Sequence, residues 1–231
     1  MANTLFLHLE GPLQAWGERA RWSVRDSAPE PTKSGVIGLL GCALGLQTDE
    51  DLRALSRNLR MGVRCDRPGS PLVDYHTVCG GVLSAEGKVK RTSSTGRIET
   101  VVSLRSYLCD ACFLVALQAM PDPSALIERL AKALQLPHWP VYLGRKSCVP
   151  SAPIFAGVAD FSSLEEALSA WPAQDADRVG GAKRVRTVIQ CDPGQGVIRR
   201  DELESNRYRT FGPRHTCEAY ISVSRSEEKE E

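Results

Sequence analysis

The sequence predicts an α+β fold in which helices cover one face of an antiparallel sheet. Leucine occupies every second position in residues 5–9, which is the period of a strand with one buried face. Apolar residues in 36–44 instead recur at the three-and-four spacing of an amphipathic helix. The coarse order along the chain is strand, helix, three strands, helix and further strands. This order suits a ferredoxin-like sandwich.

The first helix is rich in glycine. Pro31 and Thr32, or alternatively Ser34, provide its start signals, and Lys33 stands beside its N-terminus. Glycine then recurs at positions 35, 38, 41 and 45. Each glycine costs about 1 kcal/mol of helical propensity relative to alanine. We therefore expect a close approach to this helix, either by the sheet behind it or by a backbone in front of it.

Residues 80–105 are predicted to project from the domain as a long hairpin arm. Residues 84–105 carry five basic side chains against two acidic ones, and residues 92–96 contain no apolar side chain. A polar, basic tip between two alternating arms is typical of a projecting hairpin. A disordered basic loop is the alternative that the same composition permits.

The remaining elements follow from the same patterns. A short helix is expected in 48–59, and strands are expected at 61–65, 73–78 and 107–120. A second long helix begins near residue 122. These elements complete a first domain, residues 1–156, which carries the arm. Residues 157–231 are predicted to form a small β-rich C-terminal region with a charged tail.

Composition excludes several classes of protein. The net charge is +1, but nine basic residues against four acidic ones lie in 178–214, so basic clusters are offset elsewhere. No apolar run approaches the roughly 18 residues of a membrane span, and the N-terminus lacks a signal-peptide pattern. We expect a cytoplasmic protein without membrane contacts.

The eight cysteines are expected to be free and mostly packed in the interior. Cys109 and Cys112 form the single C-x-x-C motif, and no second pair or histidine follows at zinc-finger spacing. The histidines at 8, 76, 138 and 215 form no recognisable catalytic set, although His76 neighbours Tyr75. The sequence therefore predicts no catalytic residue, no metal ligand and no cofactor.

Cations on glycine turns are the strongest chemical signal. One such turn consists of Gly144, Arg145, Lys146 and Ser147. A second position suited to phosphate binding is Lys33, at the start of the glycine-rich helix. A nucleic-acid backbone requires cations for its phosphates and bare amides at close range. Trp16 and Trp22 are candidates to stack on unpaired bases, although a tryptophan beside a buried strand is more often part of a core.

Five sequence blocks carry a resemblance to a known family. They are GPLQAWG at 11–17, PTKSGVIGLLG at 31–41, DYHTV at 74–78, a block at 107–117, and YLGRKSC at 142–148. Together and in this order they resemble the CasD family, a subunit of type I-E CRISPR Cascade complexes in the RAMP superfamily. The resemblance is much weaker in the C-terminal region.

The resemblance implies a non-catalytic subunit that binds the 5′ handle of CRISPR RNA (crRNA). It implies that the arm reaches over the adjoining spacer end to the backbone subunit CasC, while another face meets the large subunit. Target DNA would be met only through the complex. The expected RNA contacts are Trp16, Arg19, Arg25, Lys33, Ser34, Tyr142, Gly144, Arg145, Lys146 and Ser147, with Lys88, Arg91, Arg97 and Arg105 on the arm.

Two alternatives remain at this point. Some relatives in type I-C systems are metal-independent endoribonucleases that process CRISPR precursor RNA with Tyr, Lys and His. No neighbouring Lys-His pair occurs in this sequence, so such a set cannot be placed. The more distant alternative is a stand-alone RNA-binding domain without assembly partners.

Overall fold

The computed structural model describes residues 2–18, 23–79, 83, 86–120, 123–173 and 183–223. Within them the chain forms nine strands and four helices. The strands are β1 (Thr4–Gln14), β2 (Val24–Arg25), β3 (Leu59–Arg67), β4 (Ser70–Val78), β5 (Val101–Ala119), β6 (Phe155–Ala159), β7 (Lys183–Gln190), β8 (Val197–Ser205) and β9 (Thr210–Val223). The helices are α1 (Lys33–Leu44), α2 (Asp49–Arg57), α3 (Pro123–Gln135) and α4 (Leu164–Ala170). No helix in these ranges combines the length and hydropathy needed to span a bilayer.

All nine strands belong to one sheet. Seven of them follow the order β6-β1-β5-β3-β7-β9-β8, and every neighbouring pair along this path is antiparallel. The remaining two strands both pair with the first half of β5, β4 antiparallel and β2 parallel. The predicted α+β class with an antiparallel sheet is therefore confirmed.

Helices cover both faces of this sheet, whereas the sequence analysis placed them on one. Leu5 and Leu7 of β1 pack into the main core with α1, α2 and α3, while Phe6 packs on the opposite face with α4. The apolar run at 113–117 reflects this arrangement, because a strand that is buried on both faces loses its alternation. The buried Arg64 fixes α4 by donating hydrogen bonds to the carbonyl oxygens of Leu168 and Trp171 at the helix end.

The glycines of α1 have different roles. Thr32 is the N-cap, and its hydroxyl accepts a hydrogen bond from the Gly35 amide. A Cβ at Gly35 would lie 2.8 Å from the Trp16 ring, and one at Gly41 would lie 2.4 Å from Leu52 Cδ2. A Cβ at Gly38 meets nothing within 4 Å. Close packing is thus correct for Gly35 and Gly41, whereas Gly38 faces open space.

The predicted arm corresponds to the end of a longer hairpin. β4 pairs with β5 from Ser70↔Cys109 to Val78↔Val101, so the hairpin strands begin ten residues before the predicted start of the arm. Beyond them, isolated bridges join Leu83 to Val89 and Arg91 to Ile98. Residues 80–82 and 84–85 lie outside the described residues.

The C-terminal strands extend the main sheet. β7 pairs with β3 at Gly62↔Ile189, so β7, β9 and β8 continue the sheet of the first 156 residues. Residues 157–231 contain these three strands and α4, and a separate β-rich C-terminal region with a division at residue 156 stays a prediction.

A buried ion-pair network fastens β8 and β9 to the start of α1. The Lys33 ammonium lies 2.7 Å from Glu202 Oε2, and the Lys33 backbone amide donates to Asp201 Oδ2 at 2.8 Å. Arg214 binds both oxygens of Asp201, at 2.8 and 2.7 Å. Burial opposes ionisation of Asp201, but the hydrogen bonds and charge of Arg214 hold the pKa of Asp201 below its ordinary value.

We expect Asp201→Asn to lower the free energy of unfolding at pH 7 by about 3–5 kcal/mol, because Arg214 and Lys33 lose a buried carboxylate partner. Because the pKa of Asp201 is lowered in the folded state, its ionised carboxylate contributes stability that is fully present above pH 3.8, the ordinary pKa. This contribution is lost as the pH falls through the lower pKa of the folded state. The variant should therefore lack this part of the acid-induced loss of stability. Urea unfolding between pH 7 and pH 3 measures both effects, with Glu128→Gln on the exposed side of α3 as the control. Equal stability of both variants would contradict a role for the network.

Candidate nucleic-acid interface

A groove of about 1440 Å³ lies between α1 and the turn that joins β8 to β9. Its other walls are residues 15–18, the segment at 25–26, and the turn at 142–145. Six of the predicted site residues line it together with residues from the C-terminal strands: Trp16, Arg25, Ser34, Tyr142, Gly144 and Arg145.

The α1 wall presents small side chains to the groove. Ser34, Gly38 and Cys42 are spaced by four residues, so they share one helical face, and all three line the groove. Because no atom of the described residues lies within 4 Å of a Cβ built at Gly38, the helix backbone is accessible to a ligand at this position. The backbone of a ligand could therefore approach the helix closely at Gly38, as the glycine-rich sequence led us to expect.

The turn at 142–147 forms a second wall. Gly144 has φ +90°, and a Cβ there would lie 1.7 Å from the Ala15 carbonyl oxygen, so only glycine fits. Tyr142 is half-buried, and burial raises the pKa of its hydroxyl, with a smaller contribution from Cys42. Lys146 and Ser147 are exposed at the end of the turn.

Arg145 is held by the protein itself. Its guanidinium donates to the carbonyl oxygens of Ser106, Arg25 and Asp26, and it lies 4.5 Å from the centroid of the Tyr107 ring. Three of its five N–H donors are therefore used within the fold. Arg145 lines the groove and ties the exposed Arg25 segment to β5, so its first role is to shape this wall.

The β8–β9 turn forms the wall that sequence reasoning did not place in the site. Its exposed side chains include Arg207, Tyr208 and Arg209, and Arg200 on β8 faces the same groove. The Asp49 carboxylate at the start of α2 orients the turn by accepting hydrogen bonds from the backbone amide of Arg207 and from the hydroxyl of Ser205. The Ser205 hydrogen bond is the main cause of the lowered pKa of Asp49. The only signal in the sequence was the basic excess in 178–214.

The groove is electropositive. Five arginines line it, at 25, 145, 200, 207 and 209, against three carboxylates at 18, 26 and 204. One of these carboxylates, Glu18, is neutralised further by an ion pair with Arg199 at 3.2 Å. Positive walls around an open backbone surface are suited to a polyanion.

Comparison with known proteins assigns the family. The family model described as CRISPR-associated protein (Cas_Cas5) matches residues 4–217 of this chain. The chain belongs to the Cas5 family. It is 39% identical over 178 residues to the CRISPR system Cascade subunit CasD of Escherichia coli (strain K12), with 73% of this chain and 76% of that protein covered. The resemblance to CasD is thus confirmed.

Two solved structures are similar to this Cas5 chain. One belongs to a CRISPR RNA-guided surveillance complex, with a TM-score of 0.78 and 30% identity over 95% of this chain and 90% of that chain. The other is described as a crystal structure of a Cas protein, with a TM-score of 0.71 and 34% identity over 96% of this chain and 98% of that chain. The similarity therefore includes the C-terminal strands, where the sequence resemblance was weak.

Two of the predicted RNA contacts are buried in this Cas5 fold. Trp16 is 1% exposed, and its indole N–H donates to Gln14 Oε1 at 3.0 Å, so its ring belongs to the core and cannot stack on a base. Lys33 is also 1% exposed, and burial lowers the pKa of its ammonium although Glu202 opposes that shift. The backbone amide of Lys33, which was expected to bind a phosphate at the start of α1, instead donates a hydrogen bond to the Asp201 carboxylate. Both expectations are corrected accordingly.

Lys146 and Ser147 are exposed and do not line the groove, and the remaining predicted residues divide into three groups. Arg25, Ser34, Tyr142, Gly144 and Arg145 line the groove together. The arm residues Lys88, Arg91, Arg97 and Arg105 do not line it; Arg91 donates to the Gly96 carbonyl oxygen and Arg105 to the Ser103 hydroxyl. Arg19 and Trp22 lie outside the described residues.

No histidine lines the groove in the described parts of the chain. His76 lies on the hairpin, where its Nδ1 is 3.3 Å from Asp74 Oδ2. His138 packs beside Gly45 and contacts the Trp139 ring edge-on at a centroid distance of 4.8 Å. The groove therefore brings together arginines and backbone, but no imidazole that could act as a general base there.

Proposed function

We propose that this Cas5 family chain is a non-catalytic RNA-binding subunit of a type I-E Cascade surveillance complex, and that its groove binds the 5′ handle of crRNA. One observation carries the proposal: the groove combines five arginines with an open helix backbone at Gly38. The names of the similar proteins, a Cascade subunit and an RNA-guided surveillance complex, supply the assembly.

Binding would rest on charge and shape. Arg200, Arg207 and Arg209 neutralise phosphates along the β8–β9 wall, and the loss of condensed counterions drives association. The handle backbone approaches α1 at Gly38, where no side chain intervenes. Tyr208 is 72% exposed beside these arginines and offers a ring on which an unpaired base can stack.

The core of the chain supports the ferredoxin-like assignment. β6, β1, β5 and β3 lie side by side in that order, with α1 between β1 and β3 in the chain and α3 between β5 and β6. This is a β-α-β-β-α-β succession if β2 and α2 are treated as additions and β4 is counted as part of the hairpin.

The hairpin would contact the neighbouring backbone subunit CasC and the start of the spacer. Val73, Tyr75 and Leu104 are exposed on one of its faces, and basic side chains surround its tip. Apolar residues in a protruding hairpin are suited to a protein neighbour, and the basic tip to RNA phosphates. The large subunit would meet another face, and target DNA would be met through the assembled complex.

We expect the double variant Arg207→Ala and Arg209→Ala to weaken RNA binding and to reduce its salt dependence. Loss of two phosphate contacts should make the slope of log K against log salt shallower by about 1.4 for a single strand. Fluorescence anisotropy with repeat-derived handle RNA at several salt concentrations measures both quantities. Arg129→Ala on the exposed side of α3 is the matched control. An unchanged slope in the double variant would remove the β8–β9 wall from the interface.

Gly38→Ala should separate stability from binding. The added methyl group meets nothing within 4 Å and improves helical propensity, so the free energy of unfolding should rise by up to about 1 kcal/mol. The same methyl group occupies the proposed path of the RNA backbone, so affinity for handle RNA should fall. Thermal unfolding and anisotropy measure the two effects. Unchanged affinity in the stabilised variant would place the RNA elsewhere.

The purified chain should leave repeat RNA intact during incubation in EDTA, because no histidine among the described residues lines the proposed site to act as general acid or base. Gel analysis of end-labelled repeat RNA gives the result. Cleavage at a single position that persists in EDTA would support the alternative function, a metal-independent endoribonuclease, and would overturn the non-catalytic assignment without affecting the family.

A further inference from the structure

A cluster of metal-ligand side chains lies on the sheet, separate from the groove. The strands β1 and β5 pair with Glu10 opposite Cys112 and His8 opposite Leu114. Because side chains alternate across a strand, His8, Glu10 and Cys112 project from the same face, the one that carries Phe6 and Leu114. The cluster therefore lies on the α4 side of the sheet.

The ligand atoms have the spacing of a metal site. His8 Nε2 lies 3.1 Å from Glu10 Oε2 and 3.4 Å from Cys112 Sγ, and all three atoms lie within 4.8 Å of one another. A tetrahedral zinc ion with bonds of about 2.0–2.3 Å separates its ligand atoms by roughly 3.3–3.7 Å. The two distances to His8 Nε2 lie near this range, and the Glu10 carboxylate and the Cys112 thiol are at most 4.8 Å apart.

The surroundings keep the ligands in place and leave one side open. Cys112 is 1% exposed, whereas the side chains of His8 and Glu10 are 15% and 30% exposed. Arg67 lies 2.7 Å from Glu10 Oε1, which fixes the carboxylate from behind and leaves Oε2 directed at His8. This support of a ligating carboxylate by a neighbouring donor is typical of metal sites.

We propose that His8 Nε2, Glu10 Oε2 and Cys112 Sγ bind a divalent cation of the zinc class, with a water molecule from the open side as fourth ligand. The thiol releases its proton to solvent when the metal–sulfur bond forms, and the imidazole binds through the lone pair of Nε2. One thiolate, one imidazole and one carboxylate favour zinc or cobalt over magnesium or calcium, which prefer oxygen ligands. The site does not depend on RNA binding.

The position of the cluster suggests what the ion does. Asp110, two residues from Cys112, has φ +53°, and the pairing of β3 with β5 shifts register between Arg64 and Arg67. Near this irregularity the half of β5 that pairs with β4 in the hairpin meets the half that pairs with β3 in the core. An ion bridging β1 and β5 there would hold the base of the hairpin in one orientation.

Titration of the purified full-length chain with Co²⁺ tests the proposal, followed by near-ultraviolet thiolate-to-cobalt charge-transfer absorption. We expect saturation at one equivalent, displacement of Co²⁺ by Zn²⁺, and no displacement by Mg²⁺. Zn²⁺ should also raise the melting temperature, because it binds the folded state. Cys112→Ser should abolish the band and weaken Zn²⁺ binding by at least about tenfold, since even loss of an outer partner costs that much.

Cys109→Ser is the matched control, because it removes the other thiol of the C-x-x-C motif and leaves the cluster intact. It should bind like the wild type. His8→Gln provides a second test if Cys112→Ser fails to fold, and it should also weaken binding. No saturable band in the wild type, or a band that survives both Cys112→Ser and His8→Gln, would overturn the site.

Discussion

The buried ion pairs between the start of α1 and strands β8 and β9 determine the shape of the molecule around the groove. Asp201 accepts hydrogen bonds from the Lys33 amide and from Arg214, and Lys33 pairs with Glu202. The two contacts of Lys33 join residues 168 and 169 positions apart and place the β8–β9 turn opposite α1. Without them the groove would lack the wall formed by the β8–β9 turn. A second set, in which Glu30 pairs with Arg186 of β7 and Arg199 of β8, fastens these two strands to the segment before α1.

The network divides the basic residues into two classes. Lys33 and Arg214 form ion pairs with interior carboxylates, because an unpaired charge in the core costs too much free energy. Arg200, Arg207 and Arg209 remain exposed on the groove, where a polyanion can reach them. A count of cations along the sequence does not separate these classes. Burial and pairing do, and they move the candidate interface from the helix start to the opposite wall.

Local patterns predicted what depends on near neighbours. The alternation in β1, the caps and glycines of α1 and the apolar run of β5 all gave correct elements, and the family blocks located the 142–147 turn. The sequence could not show that α4 covers the second face of the sheet or that Asp201 occupies the start of α1. The proximity of Cys112 and His8 could not be predicted either, because these residues are 104 positions apart and come into contact only through strand pairing. The unpredicted features are contacts between distant segments, for which no periodicity exists.

The strand order also has a consequence for synthesis of the chain. β1 is made first, but its partners β5 and β6 follow about a hundred and a hundred and fifty residues later, at Gln118 and Ala159 opposite Thr4. Both edges of β1 must therefore stay without a partner strand until those residues have been synthesised. β3 has a bare edge until β7 arrives, and β7 in turn waits for β9. Such long-range pairing makes folding slow and leaves unpaired strand edges exposed to aggregation. Protection of the nascent chain from aggregation therefore matters for the yield of native protein.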